Sequence, residues 1–352
     1  MERRKTRQIM VGNVGIGSDY PVSIQSMLCS PNGDFEAALS QTRALVQAGC
    51  DIVRLAVIDE ASLGVVEKLK KAVSVPLVAD IQFDYKLAIS AIDAGIDKIR
   101  LNPGNIGSEE RVLKVIDKAK ANHIPIRVGV NAGSISQKVL KTYGGACPEA
   151  LFEDAMSHIR ILEDCNFHDV AVSLKASSVP LMLETYRLIA EKTDYPLHLG
   201  VTEAGTVYGG TVKSAVGIGA LLSQGIGDTI RVSLTADPVE EIRAAKEILA
   251  ALELKQEGAR LVSCPTCARC SVNLIEIANR VSARLSEVKK PIKIAVMGCV
   301  VNGPGEARDA DIGITGAQGE GLLFRDGSII RRVPEGEIVD TLFEELGKMG
   351  AL

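Results

Sequence analysis

The stretch 51–57, Asp51-Ile-Val-Arg54-Leu-Ala-Val57, sets one arginine inside an otherwise apolar run. So short a run, with β-branched residues before the arginine, predicts a strand. Its form, D-x-[VI]-R-[LV], recurs as Asp97-Lys-Ile-Arg100-Leu and Asp228-Thr-Ile-Arg231-Val, each shortly after a glycine that ends a helical stretch. Asp169-Val-Ala-Val-Ser-Leu-Lys175 is a looser relative. Strands apolar on both faces belong in a parallel sheet covered by helices. A guanidinium in such a strand costs a great deal unless it has a partner. Its repetition on three strands calls for a common anionic ligand.

Working outward, the strand-like runs are 22–27, 52–57, 77–81, 98–102, 126–131, 170–175, 198–203 and 229–234. Helical periodicity fills 34–48, 60–73, 84–94, 108–121, 149–165, 178–192, 211–224 and 238–254. Gly49, Gly95 and Gly225 follow helices where left-handed caps are expected. Eight βα units in this length fit an α/β fold of the (β/α)₈ TIM-barrel type over residues 1–254. A doubly wound sheet would carry GxGxxG directly after its first strand. Here Gly12, Gly15 and Gly17 precede that strand and read as a turn. Residues 255–263 read as a linker. Residues 264–352 read as a small α+β domain, with a helix over 271–288, a strand over 292–298, a hairpin turning at Asp326-Gly327 and a helix over 335–348.

Composition narrows the function. A net charge of −4 over 352 residues argues against nucleic-acid binding. No apolar run reaches the length of a membrane span, and the basic N-terminus lacks the apolar core of a secretory signal, so a cytoplasmic protein is expected. The eight cysteines are then not expected to form structural disulfides. Cys29, Cys50, Cys147 and Cys165 are scattered and read as small buried hydrophobes.

Cys264, Cys267 and Cys270 form C-x₂-C-x₂-C, and Cys299 follows in a glycine-rich loop. Thiolates in this number select an iron–sulfur cluster or a structural zinc, and spacing alone leaves both open, with unmetallated thiols as a third reading. Glu306, seven residues after Cys299, is either an exposed loop acid or a hard oxygen ligand more easily displaced than a thiolate. The strand ends carry Arg54, Asp80, Arg100, Asn102, Arg127, Asn131, Lys175, Glu203, Arg231 and Ser233. Five of these are cations, which suits bidentate and point-charge recognition of more than one phosphate. The plainer reading pairs some of them with Asp80, Asp51 or Asp97. Glu203 reads as a general acid or as a charge partner.

SCPTC at 263–267, MGCVVNGPGEA at 297–307, and the strand ends RLNPGN, RVGVNAGS, SLKAS and GVTEAG together resemble the 4-hydroxy-3-methylbut-2-enyl diphosphate synthase family of the methylerythritol phosphate route. The resemblance covers nearly the whole chain. It implies a TIM barrel with an iron–sulfur cluster domain in a homodimer, one subunit's cluster domain closing over the other's barrel. The implied reaction opens 2-C-methyl-D-erythritol 2,4-cyclodiphosphate and removes a hydroxyl with two electrons from flavodoxin or ferredoxin. It further implies that Cys264, Cys267, Cys299 and Glu306 ligate a 4Fe–4S cluster. Arg54, Arg100, Arg127, Asn131, Lys175, Arg231 and Ser233 become substrate contacts, with Glu203 and Asp80 as candidates for proton transfer. Cys270 departs from the family pattern and is expected to be a bystander. Two rivals remain: a zinc-stabilised lyase or aldolase on a sugar phosphate, with Lys175 forming a Schiff base, and a non-enzymatic electron carrier.

Overall fold

The computed structural model describes residues 2–255, 258–300 and 309–352. Two compact units divide the chain, Met1–Lys255 and Gln256–Leu352.

The first unit opens with an antiparallel hairpin, β1 (Ile9–Val11) and β2 (Val14–Ile16), turning at Gly12 with φ 58°. Strands β3 (Ser23–Met27), β4 (Ile52–Ala56), β5 (Leu77–Asp80), β6 (Lys98–Arg100), β7 (Ile126–Asn131), β8 (Val170–Lys175), β9 (His198–Leu199) and β10 (Thr229–Ile230) follow. They form one parallel sheet in the order β8-β7-β6-β5-β4-β3-β10-β9, and a parallel bridge from Val172 to Leu197 brings its edges together as a barrel. Around it lie α1 (Phe35–Ala48), α2 (Glu60–Ala72), α3 (Tyr85–Asp93), α4 (Glu109–Ala121), α5 (Gln137–Tyr143), α6 (Pro148–Asp164), α7 (Val179–Lys192), α8 (Val207–Leu222) and α9 (Pro238–Ala251). Asp34, Asp59 and Ser178 cap α1, α2 and α7 through their side chains, and Gly49, Gly95 and Gly225 take the positive φ expected of helix-ending glycines.

Alternation along each strand separates two environments. Val53, Leu55, Leu77, Ala79, Ile99 and Val128 join the main apolar core with the helices. The inward residues sort into layers through the strand register, in which Gln25 faces Ile52, Val78 faces Lys98, Arg127 faces Ala171 and His198 faces Thr229. From the floor upward these are Ile52, Lys98, Ala171 and Thr229, then Gln25, Val78, Arg127 and His198, then Arg54, Arg100, Ser173 and Arg231. Branched apolar residues usually fill a barrel interior, but this one is mostly polar. Ile9, Val11 and Ile16 of the hairpin close the floor against Ile52, Val78 and Ala171.

The repeated aspartates are explained here. Asp51, Asp97 and Asp228 accept the backbone N–H groups of Ile24, Leu77 and Leu197 on neighbouring strands at 2.7, 2.8 and 2.8 Å. Each repeat therefore anchors the bottom of a strand with its acid and sends its arginine inward nearer the mouth.

The second unit holds a five-stranded sheet of β11 (Arg260–Ser263), β12 (Lys293–Met297), β13 (Ile312–Ala317), β14 (Glu320–Arg325) and β15 (Ser328–Pro334). Strands β11, β12 and β13 are parallel, and the rest antiparallel. Helices α10 (Leu274–Arg284) and α11 (Ile338–Lys348) pack Ile277, Val281, Leu342 and Phe343 on Ile294, Val296, Ile314 and Leu323. Asp326 and Gly327 turn the last hairpin with φ 49° and 76°, as a two-residue turn requires.

Several boundaries differ from the sequence reading. The runs 198–203 and 229–234 pair only over His198–Leu199 and Thr229–Ile230, because the chain leaves the ladder where its polar residues turn into the barrel mouth. The presumed linker 255–263 ends in β11, which pairs with β12 in full register. Strand β13 and the short helix α5 had no clear periodic signal and were not expected.

Candidate functional site

A cup of about 230 Å³ opens among the upper layers of the barrel, lined by Arg54, Asp80, Gln82, Arg100, Arg127, Asn131, Ser173, Lys175, Thr202, Arg231 and Ser233. All seven expected substrate contacts, and Asp80, thus come together. Gln82, Ser173 and Thr202 were not among the candidates. Each lies two residues from a candidate or next to one, so the period-two rule was the available signal for Gln82 and Ser173. Glu203 does not line the cup: it is exposed, with a positive φ of 53°.

The packing makes room for long cations. Gly129 and Gly200 belong to the layer above the arginines. A Cβ on Gly129 would come within 3.2 Å of Arg100 Nε, and one on Gly200 within 2.7 Å of Lys175 Nζ. Asn102 holds both backbone groups of Gly129, donating to its carbonyl at 2.8 Å and accepting its N–H at 2.9 Å. It therefore shapes the wall from within the barrel rather than lining the cup.

Charge is unbalanced. Asp80 lies 3.3 Å from Arg100 and 3.7 Å from Arg54. Asp51 and Asp97 bind Lys255 and Lys70 instead of the arginines. Glu241 on α9 accepts from Arg231 Nη2 at 3.3 Å, Ser26 Oγ at 2.8 Å and Leu234 N at 3.1 Å. Two buried carboxylates thus face five cations. Burial, partly offset by Asp80 and reinforced by Arg231 and Arg100, pushes Arg54 down to about 10. Burial and then repulsion from Arg127, Arg54, Arg231 and Arg100 push Lys175 well below the usual ammonium range. A dianion entering the cup would relieve both effects, which is the chemistry of a diphosphate site.

Glu241 is a positioning residue that the sequence reading did not identify. In Glu241→Gln an amide N–H₂ faces the Arg231 guanidinium, so inorganic pyrophosphate should bind about tenfold more weakly, roughly the worth of one charge-assisted hydrogen bond. Calorimetric titration with pyrophosphate checks this, and unchanged affinity would remove Glu241 from the site.

The cysteines occupy one end of the second sheet. Ser263 on β11 pairs with Val296 on β12, so Cys264 and Cys299 leave adjacent parallel strands at the same end. The Gly298 N–H donates to Cys264 Sγ at 3.2 Å, and Thr315 Oγ1 donates to the Cys299 carbonyl at 2.7 Å. The backbone and then the side chain of Arg269 hold the Cys267 thiol below its usual range. The Cys270 thiol donates to the Val272 carbonyl at 3.2 Å. An N–H aimed at sulfur and a thiol biased toward thiolate fit a sulfur-held iron centre. Among the described residues no three His, Cys, Asp or Glu side chains are already gathered into a metal cage. Glu306 lies outside the described residues.

Comparison with known proteins agrees with this division. Residues 6–246 match the GcpE TIM-barrel domain, and residues 260–348 match the GcpE protein C-terminal domain. The chain is 54% identical over 349 residues, 99% of each chain, to the 4-hydroxy-3-methylbut-2-en-1-yl diphosphate synthase (flavodoxin) of Ruminiclostridium cellulolyticum. It is 53% identical over 347 residues to the synthase of the same name from Geobacter sulfurreducens, covering 99% of this chain and 98% of that one. Among solved structures, the dihydropteroate synthase of Yersinia pestis in complex with a sulfonamide drug aligns with a TM-score of 0.50 at 14% identity, over 71% of this chain and all of that one. At that identity the likeness speaks for the barrel fold alone. With both units matched in order and half the residues identical to relatives of equal length, the chain belongs to the GcpE family.

Proposed function

We propose that this chain makes 4-hydroxy-3-methylbut-2-enyl diphosphate by reductive ring opening and dehydroxylation of 2-C-methyl-D-erythritol 2,4-cyclodiphosphate. The relatives are named as synthases of that product with flavodoxin, which makes flavodoxin rather than ferredoxin the expected electron donor. The zinc-dependent lyase with a Schiff base at Lys175 is not the activity for which these relatives are named. The observation that carries the reading is the cup, where five cations meet one carboxylate, Asp80, with Glu241 holding Arg231 from outside the lining.

Arg54, Arg100, Arg127, Lys175 and Arg231 would hold the two phosphoryl groups, and Asn131 and Ser233 would orient the ring by hydrogen bonding. The same cations stabilise the diphosphate as its bond to the carbon skeleton breaks, since negative charge grows on the leaving oxygens. Asp80 fixes the Arg54 and Arg100 forks, leaving its remaining lone pairs for a substrate hydroxyl or a proton. Glu203, outside the cup lining, could take part only in a rearranged mouth. Residues 264–352 would form the cluster domain, with Cys264, Cys267, Cys299 and Glu306 as ligands. A 4Fe–4S cluster there would supply one-electron transfers. A cytoplasmic setting, which keeps thiols reduced, belongs to the same proposal.

A homodimer is also proposed. On α8 the side chains of Val207, Tyr208, Val212 and Val216 are exposed, Tyr208 by 85%. Tyr208, Val212 and Val216 recur every four residues and form one apolar stripe, as an interface helix would. Val212→Lys should shift the protein to monomer in sedimentation while leaving the barrel folded; an unaltered dimer would place the interface elsewhere.

The whole reading is tested by anaerobic purification, iron and sulfide analysis, and turnover of the cyclodiphosphate with reduced flavodoxin. Equal iron and sulfide with formation of the alkenyl diphosphate is expected. Protein that carries no sulfide after reconstitution, or forms no product, refutes it.

A further inference from the structure

Below the cup, the barrel interior carries a second group of buried polar atoms, and of the residues that bear them only Arg127 also lines the cup. Lys98 Nζ, both ring nitrogens of His198, Arg127 Nε and Nη1, both amide atoms of Gln25 and Thr229 Oγ1 are buried without a hydrogen-bond partner among the described residues. Lys98, His198 and Thr229 are fully enclosed, and Arg127 and Gln25 are 1% exposed. By register they fill the two lowest of the three polar layers, Lys98 and Thr229 beneath Gln25, Arg127 and His198.

The charges acting on Lys98 and His198 are of one sign, and Asp80 acts on Arg127 alone among the three. Lys98 is acted on by Arg127 and Arg54, and His198 by Arg127, Lys175, Lys98 and Arg54. Asp80 lies two layers above Arg127's layer and is already shared between Arg54 and Arg100, while Asp97 and Asp228 are engaged by Lys70 and Arg3. Glu241 is engaged by Arg231 and Ser26. From below, the hairpin residues Ile9, Val11 and Ile16 seal the floor with Ile52, Val78 and Ala171.

A buried cation without a counter-charge is strongly disfavoured, and buried donors are normally satisfied. We propose that the barrel holds a small monoanion of halide size among Lys98, Arg127 and His198, beneath the diphosphate cup, with Arg127 bordering both sites. A halide matches the donor set: it accepts from ammonium, guanidinium, imidazole and hydroxyl groups without demanding fixed lone-pair directions. It also tolerates the apolar walls at Val78 and Ala171, where an oxyanion would leave oxygens unpaired. The inference stands on the layer geometry and would survive a different substrate for the cup.

The test uses the full-length, anaerobically purified protein crystallised with sodium bromide as the only halide salt, with diffraction measured at the bromine edge. An anomalous peak within hydrogen-bonding distance of Lys98 Nζ and Arg127 is expected. A peak confined to the cup above Arg54 and Arg100, or ordinary water density with no anomalous signal, overturns the proposal and leaves Lys98 neutral and hydrated. Independently, replacing sodium gluconate with sodium bromide at equal ionic strength should raise the melting temperature by about 2–4 °C. Lys98→Met should remove that dependence, and an unchanged bromide response in this variant also overturns the proposal. If Lys98→Met does not fold, the diffraction measurement on the parent protein decides alone.

Discussion

Lys175→Met is expected to melt higher than the parent protein and to turn over about a hundredfold more slowly. Lys175 is buried, lines the cup and stands among Arg127, Arg54, Arg231 and Arg100. In the empty barrel its charge is opposed by burial first and by these neighbours second. Exchanging a buried, like-charged group for an apolar chain of similar length typically stabilises by about 1–3 kcal/mol, or about 2–4 °C per kcal/mol in a unit of this size. With a diphosphate present, the sign reverses. The lost charge-assisted hydrogen bond is worth about 2–3 kcal/mol, which is roughly a hundredfold in kcat/KM.

The pH dependence follows from the same group. The folded pKa of Lys175 lies below the value of about 10.4 that it has in an unfolded chain. The unfolded chain therefore binds the proton more readily, and folding stability falls as pH drops from about 10.4 toward the folded pKa. Lys175→Met should flatten that part of the curve of melting temperature against pH. A bound dianion raises the Lys175 pKa again, so binding should take up protons where the empty site holds the amine neutral. Titrations with pyrophosphate in two buffers of different ionisation enthalpy would detect this uptake. A variant that melts lower than the parent and keeps full activity would mean that the five cations do not act as one anion site.

Cys299→Ala and Cys270→Ser are expected to part company completely. Cys299 and Cys264 stand at neighbouring strand ends, and a backbone N–H already points at the Cys264 sulfur. Removing one of three thiolates should cost more than about 90% of the cluster iron and reduce turnover to background, because the ligand set forms much of the centre's affinity. Cys270 spends its thiol on the Val272 carbonyl and packs beneath Gly298, where a Cβ would come within 2.7 Å of its sulfur. Cys270→Ser can keep that bond, so iron content and activity should stay within about twofold of the parent, as expected for a change that removes no ligand. Iron and sulfide analysis beside the visible spectrum separates the two variants. A large loss of iron in Cys270→Ser would make Cys270 a ligand and cast doubt on Glu306.

The sequence by itself determined the alternation of strands and helices, the grouping of four late cysteines and the arginines of the D-x-[VI]-R-[LV] repeat, because strand and helix periods and ligand spacing are local properties. It could not assign the aspartates of that repeat. Asp51, Asp97 and Asp228 bind backbone on neighbouring strands, a partnership set by register between segments far apart in the chain. Glu241 was invisible for the same reason: nothing in α9 marks one acid among several until Arg231 and Ser26 meet it. Glu203 reads as a strand-end acid, yet the chain leaves the ladder at Leu199 and carries it away from the cup. Only closure of the barrel decided that five cations share one cup and that Lys98 and His198 lie beneath it, in the layers at and below Arg127. Local pattern fixes which face a side chain takes, whereas barrel stagger fixes its height, and the charge balance of this interior depends on height.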